Sequence, residues 1–151
     1  MIRVQSDPID AGAMLDGFQS GRTDIGAVVC FTGLVRDASG GAHVSTLELD
    51  HYPGFTEKMI AGVEDEARKR FDLIDVLIVH RYGRMAPGET IVLCAAASAH
   101  RRDAFQAADF MMDALKTDAP FWKKESGADG ERWIEPRDQD HADRARWRAS
   151  R

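Results

Sequence analysis

Residues 90–125 read TIVLCAAASAHRRDAFQAADFMMDALKTDAPFWKKE, and three regimes follow one another within them. Thr90 to Ala97 is an apolar, partly β-branched run of strand length. Residues 101–116 are amphipathic at helical spacing, with Phe105, Ala108, Met112 and Leu115 expected on the inward face. Pro120 ends that helix, because its ring clashes with the preceding turn and it donates no backbone hydrogen bond. Phe121 to Glu125 and Arg132 to Glu135 then read as a hairpin around Gly127-Ala128-Asp129-Gly130.

Upstream, Ile2-Arg3-Val4 is a short strand, and Asp7-Pro8 reads as a helix N-cap and first helical residue. Ile9, Met14, Leu15 and Phe18 give that helix its apolar stripe. Residues 25–36 and 44–52 read as two strands joined by the turn Asp37-Ala38-Ser39-Gly40-Gly41, which suggests an antiparallel pair. The clearest helix follows Pro53-Gly54, with Phe55, Met59, Val63, Ala67 and Phe71 each four apart. Val76 to His80 is a further strand, and 83–89 a loop. The pattern is α+β, a mostly antiparallel sheet with helices on one face. It forms one domain over 1–137, and 138–151 is a polar C-terminal tail, frayed apart from Trp147.

A chain of 151 residues with 44% hydrophobic and 30% charged content can bury a core as one domain. No apolar run reaches the roughly 20 residues of a membrane span, and the N-terminus lacks the apolar core of an export signal. No membrane association and a cytoplasmic location are therefore expected. The net charge of −5 argues against nucleic acid as a partner. Cys30 and Cys94 lie inside apolar runs and read as small buried hydrophobes.

Standard catalytic signatures are absent: no phosphate loop, no dinucleotide glycine fingerprint, no nucleophile elbow. The five histidines have no zinc-ligand spacing, so neither a metal nor a cofactor is expected. Glu64-Asp65-Glu66 are adjacent on a helix and diverge, which is poor geometry for an acid/base pair. Cations at element ends remain. Ser98-Ala99-His100-Arg101-Arg102 closes a strand and opens a helix, where free N–H groups favour phosphate. Lys116 leaves that helix, and strand alternation puts Phe121, Lys123 and Glu125 on one face, Trp122 and Lys124 on the other. An inward lysine beside aromatics loses solvation, which lowers its pKa towards a useful range. Lys116 could equally serve only to complement the helix dipole, and the basic pairs could be a solvated face.

Several strings are similar to motifs of the molybdopterin synthase large-subunit (MoaE) family. They are Phe31-Thr32-Gly33-Leu34-Val35-Arg36, the run Glu48 to Lys58, Val79-His80-Arg81-Tyr82-Gly83, Pro87-Gly88-Glu89, Ser98-Ala99-His100-Arg101 and Leu115 to Glu125. Each is weak alone, but they stand in the family's order and spacing from about residue 25 to 137.

The resemblance implies an α/β-hammerhead fold with an additional antiparallel β subdomain. It implies a homodimer within a heterotetramer, each large subunit holding a small ubiquitin-like subunit. That subunit's C-terminal Gly-Gly thiocarboxylate would give sulfur twice to cyclic pyranopterin monophosphate, forming the dithiolene of molybdopterin. Carried over residue by residue, Arg36, His100 and Arg101 would bind substrate. Lys116 would lie by the thiocarboxylate, and Lys123 would be the main catalyst, flanked by Lys124 and Glu125, with Arg137 closing the pocket. Leu34 stands where some relatives are basic, which would remove one backup charge; Lys124 stands where arginine is common, which would lose bidentate phosphate geometry if that position touches ligand. A non-catalytic binder of ubiquitin-like tails, or an unrelated phosphate-ester enzyme with a lysine catalyst, are the alternatives.

Overall fold

Strand β8 (Thr90–Ser98) lies in the interior of the larger of two four-stranded sheets, between β6 (Asp75–Arg81) and β2 (Ala27–Leu34), and pairs antiparallel with both. β1 (Ile2–Gln5) adds to the far side of β6 in parallel, so the sheet is mixed. A computed structural model provides these coordinates and describes residues 1–148.

Helices cover both faces of this sheet, not one as the sequence reading expected. Val76, Ile78, Cys94 and Ala96 point towards α2 (Phe55–Arg70) and α3 (Arg101–Thr117). Leu77, Val79, Leu93 and Ala95 point the other way, against Ile9 and α1 (Ala11–Gln19). The uninterrupted apolar runs of β6 and β8 are the signature of burial on two sides, where every residue needs to be apolar. α1 starts later than the Asp7-Pro8 reading placed it: Asp10 is its N-cap, accepting from Ala13 N at 3.0 Å.

The second sheet is antiparallel throughout, ordered β10 (Gly130–Ile134), β9 (Phe121–Gly127), β5 (Thr46–His51), β7 (Gly83–Met85). Its own core is Val35, Leu47, Leu49 and Met85. The expected pairing of residues 25–36 with 44–52 does not occur: β2 and β5 belong to different sheets. The turn between them carries its own small hairpin, β3 (Ala38–Ser39) with β4 (Ala42–His43). Gly127 lets this hairpin approach β9, since a Cβ there would collide with the backbone oxygen of His43.

α3 buries Ala104, Ala107, Ala108, Phe110, Met111, Ala114 and Leu115. Phe105 is 61% exposed, contrary to expectation. Ala108 and Leu115 are buried as expected, but the rest of the stripe is mostly alanine, which the spacing of large side chains does not reveal. Phe110 meets a third element. Residues 138–146 of the expected frayed tail form helix α4 (Asp138–Arg146), which docks on α3. Trp147 follows it, edge-on to Phe110 at 5.5 Å and to Phe71 at 6.0 Å, and its Nε1 donates to Asp113 at 2.7 Å. Arg144 pairs with Asp118 at 2.8 Å and Glu66 at 3.1 Å.

Cys94 is fully buried, and burial pushes its thiol up to about 12. Cys30 sits on the neighbouring strand but packs with the α1 side, while Cys94 packs with the α3 side. The two thiols point to opposite faces and both are free.

Candidate active site

A cavity of about 360 Å³ opens where the last turn of α3, the pocket face of β9, the end of β2 and the start of α4 converge. Each element contributes a charged side chain. Arg36 follows β2, Lys116 closes α3, Lys123 and Glu125 lie on β9, and Arg137 caps α4 with Asp140 one turn on. Alternation on β9 works as the sequence implied: Phe121, Lys123 and Glu125 line the cavity.

Lys123 is only partly exposed, and its pKa falls below the ordinary lysine range. Burial is the largest cause and Lys116 the next; Glu125 opposes them, while Arg36 and Arg137 push the same way. A lysine in this setting can release its proton more readily than one in water, and the surrounding cations favour any anion that enters.

Glu125 is 7% exposed, and its Oε2 accepts from Arg132 Nε at 3.2 Å and Nη2 at 2.9 Å. Arg132 Nη2 also donates to the Ser39 carbonyl at 2.6 Å, so one guanidinium ties the cavity's carboxylate to the β3–β4 hairpin. Asp140 accepts from the Arg137 backbone N–H at 2.8 Å. Burial opposes its ionisation, but the hydrogen bonds from Arg137 and the charges of Arg137 and Lys116 hold its pKa down. The docking of α4 therefore has a consequence at the site: it fixes the backbone that carries Arg137 and Asp140.

Three residues expected at the site stand elsewhere in the single chain. Lys124 faces the opposite side of β9, 3.5 Å from Glu48 and 3.7 Å from Glu131, with its ammonium over the Trp133 ring at 5.6 Å. His100 and Arg101 are exposed at the other end of α3, a 17-residue helix roughly 25 Å long. Sequence reasoning missed His80, Arg132 and Asp140. His80 was visible only as one letter of a resemblance string. Arg132 and Asp140 become legible once the β9–β10 register and α4 are known.

Among the described residues no cluster of His, Cys, Asp and Glu could hold a metal ion. Among the described residues no helix is long and apolar enough to cross a membrane. The arrangement is that of a cation-lined cavity suited to anionic ligands, on an α+β scaffold with a separate antiparallel sheet.

The chain belongs to the MoaE family: the family model described as MoaE protein matches residues 4–118. It is 51% identical over 146 residues to a molybdopterin synthase catalytic subunit of Ralstonia nicotianae, an alignment covering 97% of this chain and 83% of that protein. It is similar to the solved molybdopterin biosynthesis MoaE protein of Burkholderia ambifaria, with a TM-score of 0.83, 47% identity and 99% of each chain covered. A molybdopterin synthase structure from Staphylococcus aureus superposes with a TM-score of 0.80 at 33% identity, covering 87% of this chain and 95% of the other.

Proposed function

We propose that this chain is the catalytic subunit of molybdopterin synthase, a sulfurtransferase of molybdenum cofactor biosynthesis acting in the cytoplasm. It would move sulfur from the C-terminal thiocarboxylate of a small ubiquitin-like subunit to cyclic pyranopterin monophosphate. The observation that carries the reading is Lys123, desolvated in a cavity that also holds Lys116, Arg36 and Arg137.

The chemistry needs such a cavity. Donor and acceptor are both anions, a thiocarboxylate and a phosphate ester, and their repulsion grows as water is excluded. Fixed cations offset it without reorganising during the reaction. Arg36 and Arg137, at the rim, would hold the phosphate by charge-assisted hydrogen bonds. Lys116 would meet the incoming thiocarboxylate, and Lys123 would neutralise developing charge and exchange the proton. Glu125, anchored by Arg132, would keep Lys123 oriented. No metal or organic cofactor enters this scheme.

His100 and Arg101 cannot reach the same cavity from their end of α3. In a homodimer they would serve the partner copy's substrate, so that two large subunits and two small ones form the working heterotetramer. The uncovered edge of β2 and the exposed Phe31 and Leu34 support an interface between copies. Copurification with the host's small Gly-Gly-ending protein tests the assembly. A heterotetramer is expected, and a monomer that ignores the small protein would refute it.

A further inference from the structure

His80 lines the same cavity, although nothing in the scheme above uses it. It is 8% exposed, and its ring stacks on Phe121 with centroids 3.8 Å apart and an interplanar angle of 17°. Its Nδ1 lies 3.0 Å from the Arg81 carbonyl oxygen. A carbonyl oxygen only accepts, so Nδ1 carries the proton and Nε2 presents a bare lone pair in the neutral ring. Arg81 is itself held, donating to the Ser6 carbonyl at 3.0 Å and to Glu89 at 3.0 Å, which keeps that carbonyl in place.

Nε2 has no hydrogen-bond partner among the described residues. Yet no fully buried side-chain nitrogen or oxygen among them lacks one. The atom therefore retains accessible surface, on the cavity that His80 lines. Burial and the nearby charge of Lys116 keep the ring uncharged, with a pKa of about 4.

The cavity lining thus mixes two chemistries. Arg36, Lys116, Lys123 and Arg137 suit anions. Leu49, Val92, Met112 and Phe121 are apolar or aromatic, and His80, stacked on Phe121, offers an uncharged acceptor among them. A lone pair repels phosphate or thiocarboxylate and pairs with an N–H or O–H donor. We propose that His80 is a specificity-determining residue whose Nε2 accepts a hydrogen bond from an N–H or O–H of the uncharged, ring-bearing part of the substrate. The assignment rests on the reading of the cavity given above, and it adds a group that recognises the rings where the cations recognise the phosphate.

The full chain, labelled with 15N at histidine, lysine and arginine, is titrated with cyclic pyranopterin monophosphate and separately with inorganic phosphate. The expected result is a protonated Nδ1 at neutral pH and an Nε2 resonance that moves with the pyranopterin but not with phosphate. A protonated Nε2, or an Nε2 resonance indifferent to bound pyranopterin, would overturn the assignment. Failure of the pyranopterin to bind at all, read from the lysine and arginine resonances, would refute the function itself and this inference with it. In turnover, His80→Phe keeps the stack on Phe121 and removes the acceptor. The KM for pyranopterin should rise roughly tenfold, as for one lost hydrogen bond, while inhibition by inorganic phosphate stays unchanged. His80→Gln, which restores an acceptor, should recover part of the loss, and equal loss in both variants would contradict the role.

Discussion

Lys116 in the last turn of α3 and Lys123 on β9 line one cavity from two elements, and both burial and the charge of Lys116 lower the Lys123 pKa. Removing Lys116 removes that second cause. In Lys116→Ala the Lys123 pKa should move upward, and any limb of the pH–rate profile governed by Lys123 should move to higher pH. Rate profiles of the two proteins, read beside the lysine NMR titration, check this. A limb that stays in place while activity falls would mean Lys116 acts only by contact.

The same desolvation predicts a trade of stability for function. Lys123 has a folded pKa below its unfolded one, so the folded state binds its proton less well and pays for holding it at neutral pH. Lys123→Met should lose product formation while keeping or raising the melting temperature. Thermal denaturation of the two proteins at pH 7 checks it, and a large fall in melting temperature would show that Lys123 has a structural role.

His80 gives the opposite end of the pH scale a marker. Its folded pKa of about 4 lies below the ordinary value of 6.5, so the unfolded chain takes up the proton first as pH falls. Its contribution is fully present above pH 6.5 and is lost as pH drops towards 4. At about 1.4 kcal/mol per pH unit, the loss is on the order of 3 kcal/mol. Urea unfolding between pH 7 and pH 4 should show a steeper decline in the wild type than in His80→Phe. Parallel declines would contradict a buried neutral ring.

Helix α4 should behave as part of the site. Trp147→Ala removes an 8%-exposed indole packed on Phe71 and Phe110, a loss of roughly 3–5 kcal/mol. Substrate affinity should fall with stability, because Arg137 and Asp140 open the same helix. Binding measured well below the melting temperature distinguishes the two effects, and undiminished affinity would show that the helix start is held independently.

Much of this arrangement was legible in the sequence, and the misses are instructive. The alternation Phe121, Lys123, Glu125 placed the cavity face of β9 correctly, because a strand's period is two whatever surrounds it. On α3 the spacing places Ala108 and Leu115 correctly but puts Phe105 inside in place of Phe110, because the stripe is largely alanine and α4 covers a second face. β2 and β5 looked like a hairpin because they are neighbours in sequence; the strands that pair with them, β8 and β9, lie many residues downstream. The α4 segment looked frayed because nearly all its residues are polar, whereas ion pairs to Glu66, Asp109, Asp113 and Asp118 and one tryptophan hold it. Lys124, His100 and Arg101 were grouped with the site by likeness, and only geometry separates them from it in one chain.

The most direct measurement is molybdopterin formation by the purified chain from cyclic pyranopterin monophosphate and thiocarboxylated small subunit. Product should form with the wild-type chain, fall to near background with Lys123→Ala, and be absent when the small subunit lacks its terminal Gly-Gly. Full product formation by Lys123→Ala, or by the wild-type chain from free sulfide with no small subunit, would contradict a thiocarboxylate-dependent transfer centred on Lys123.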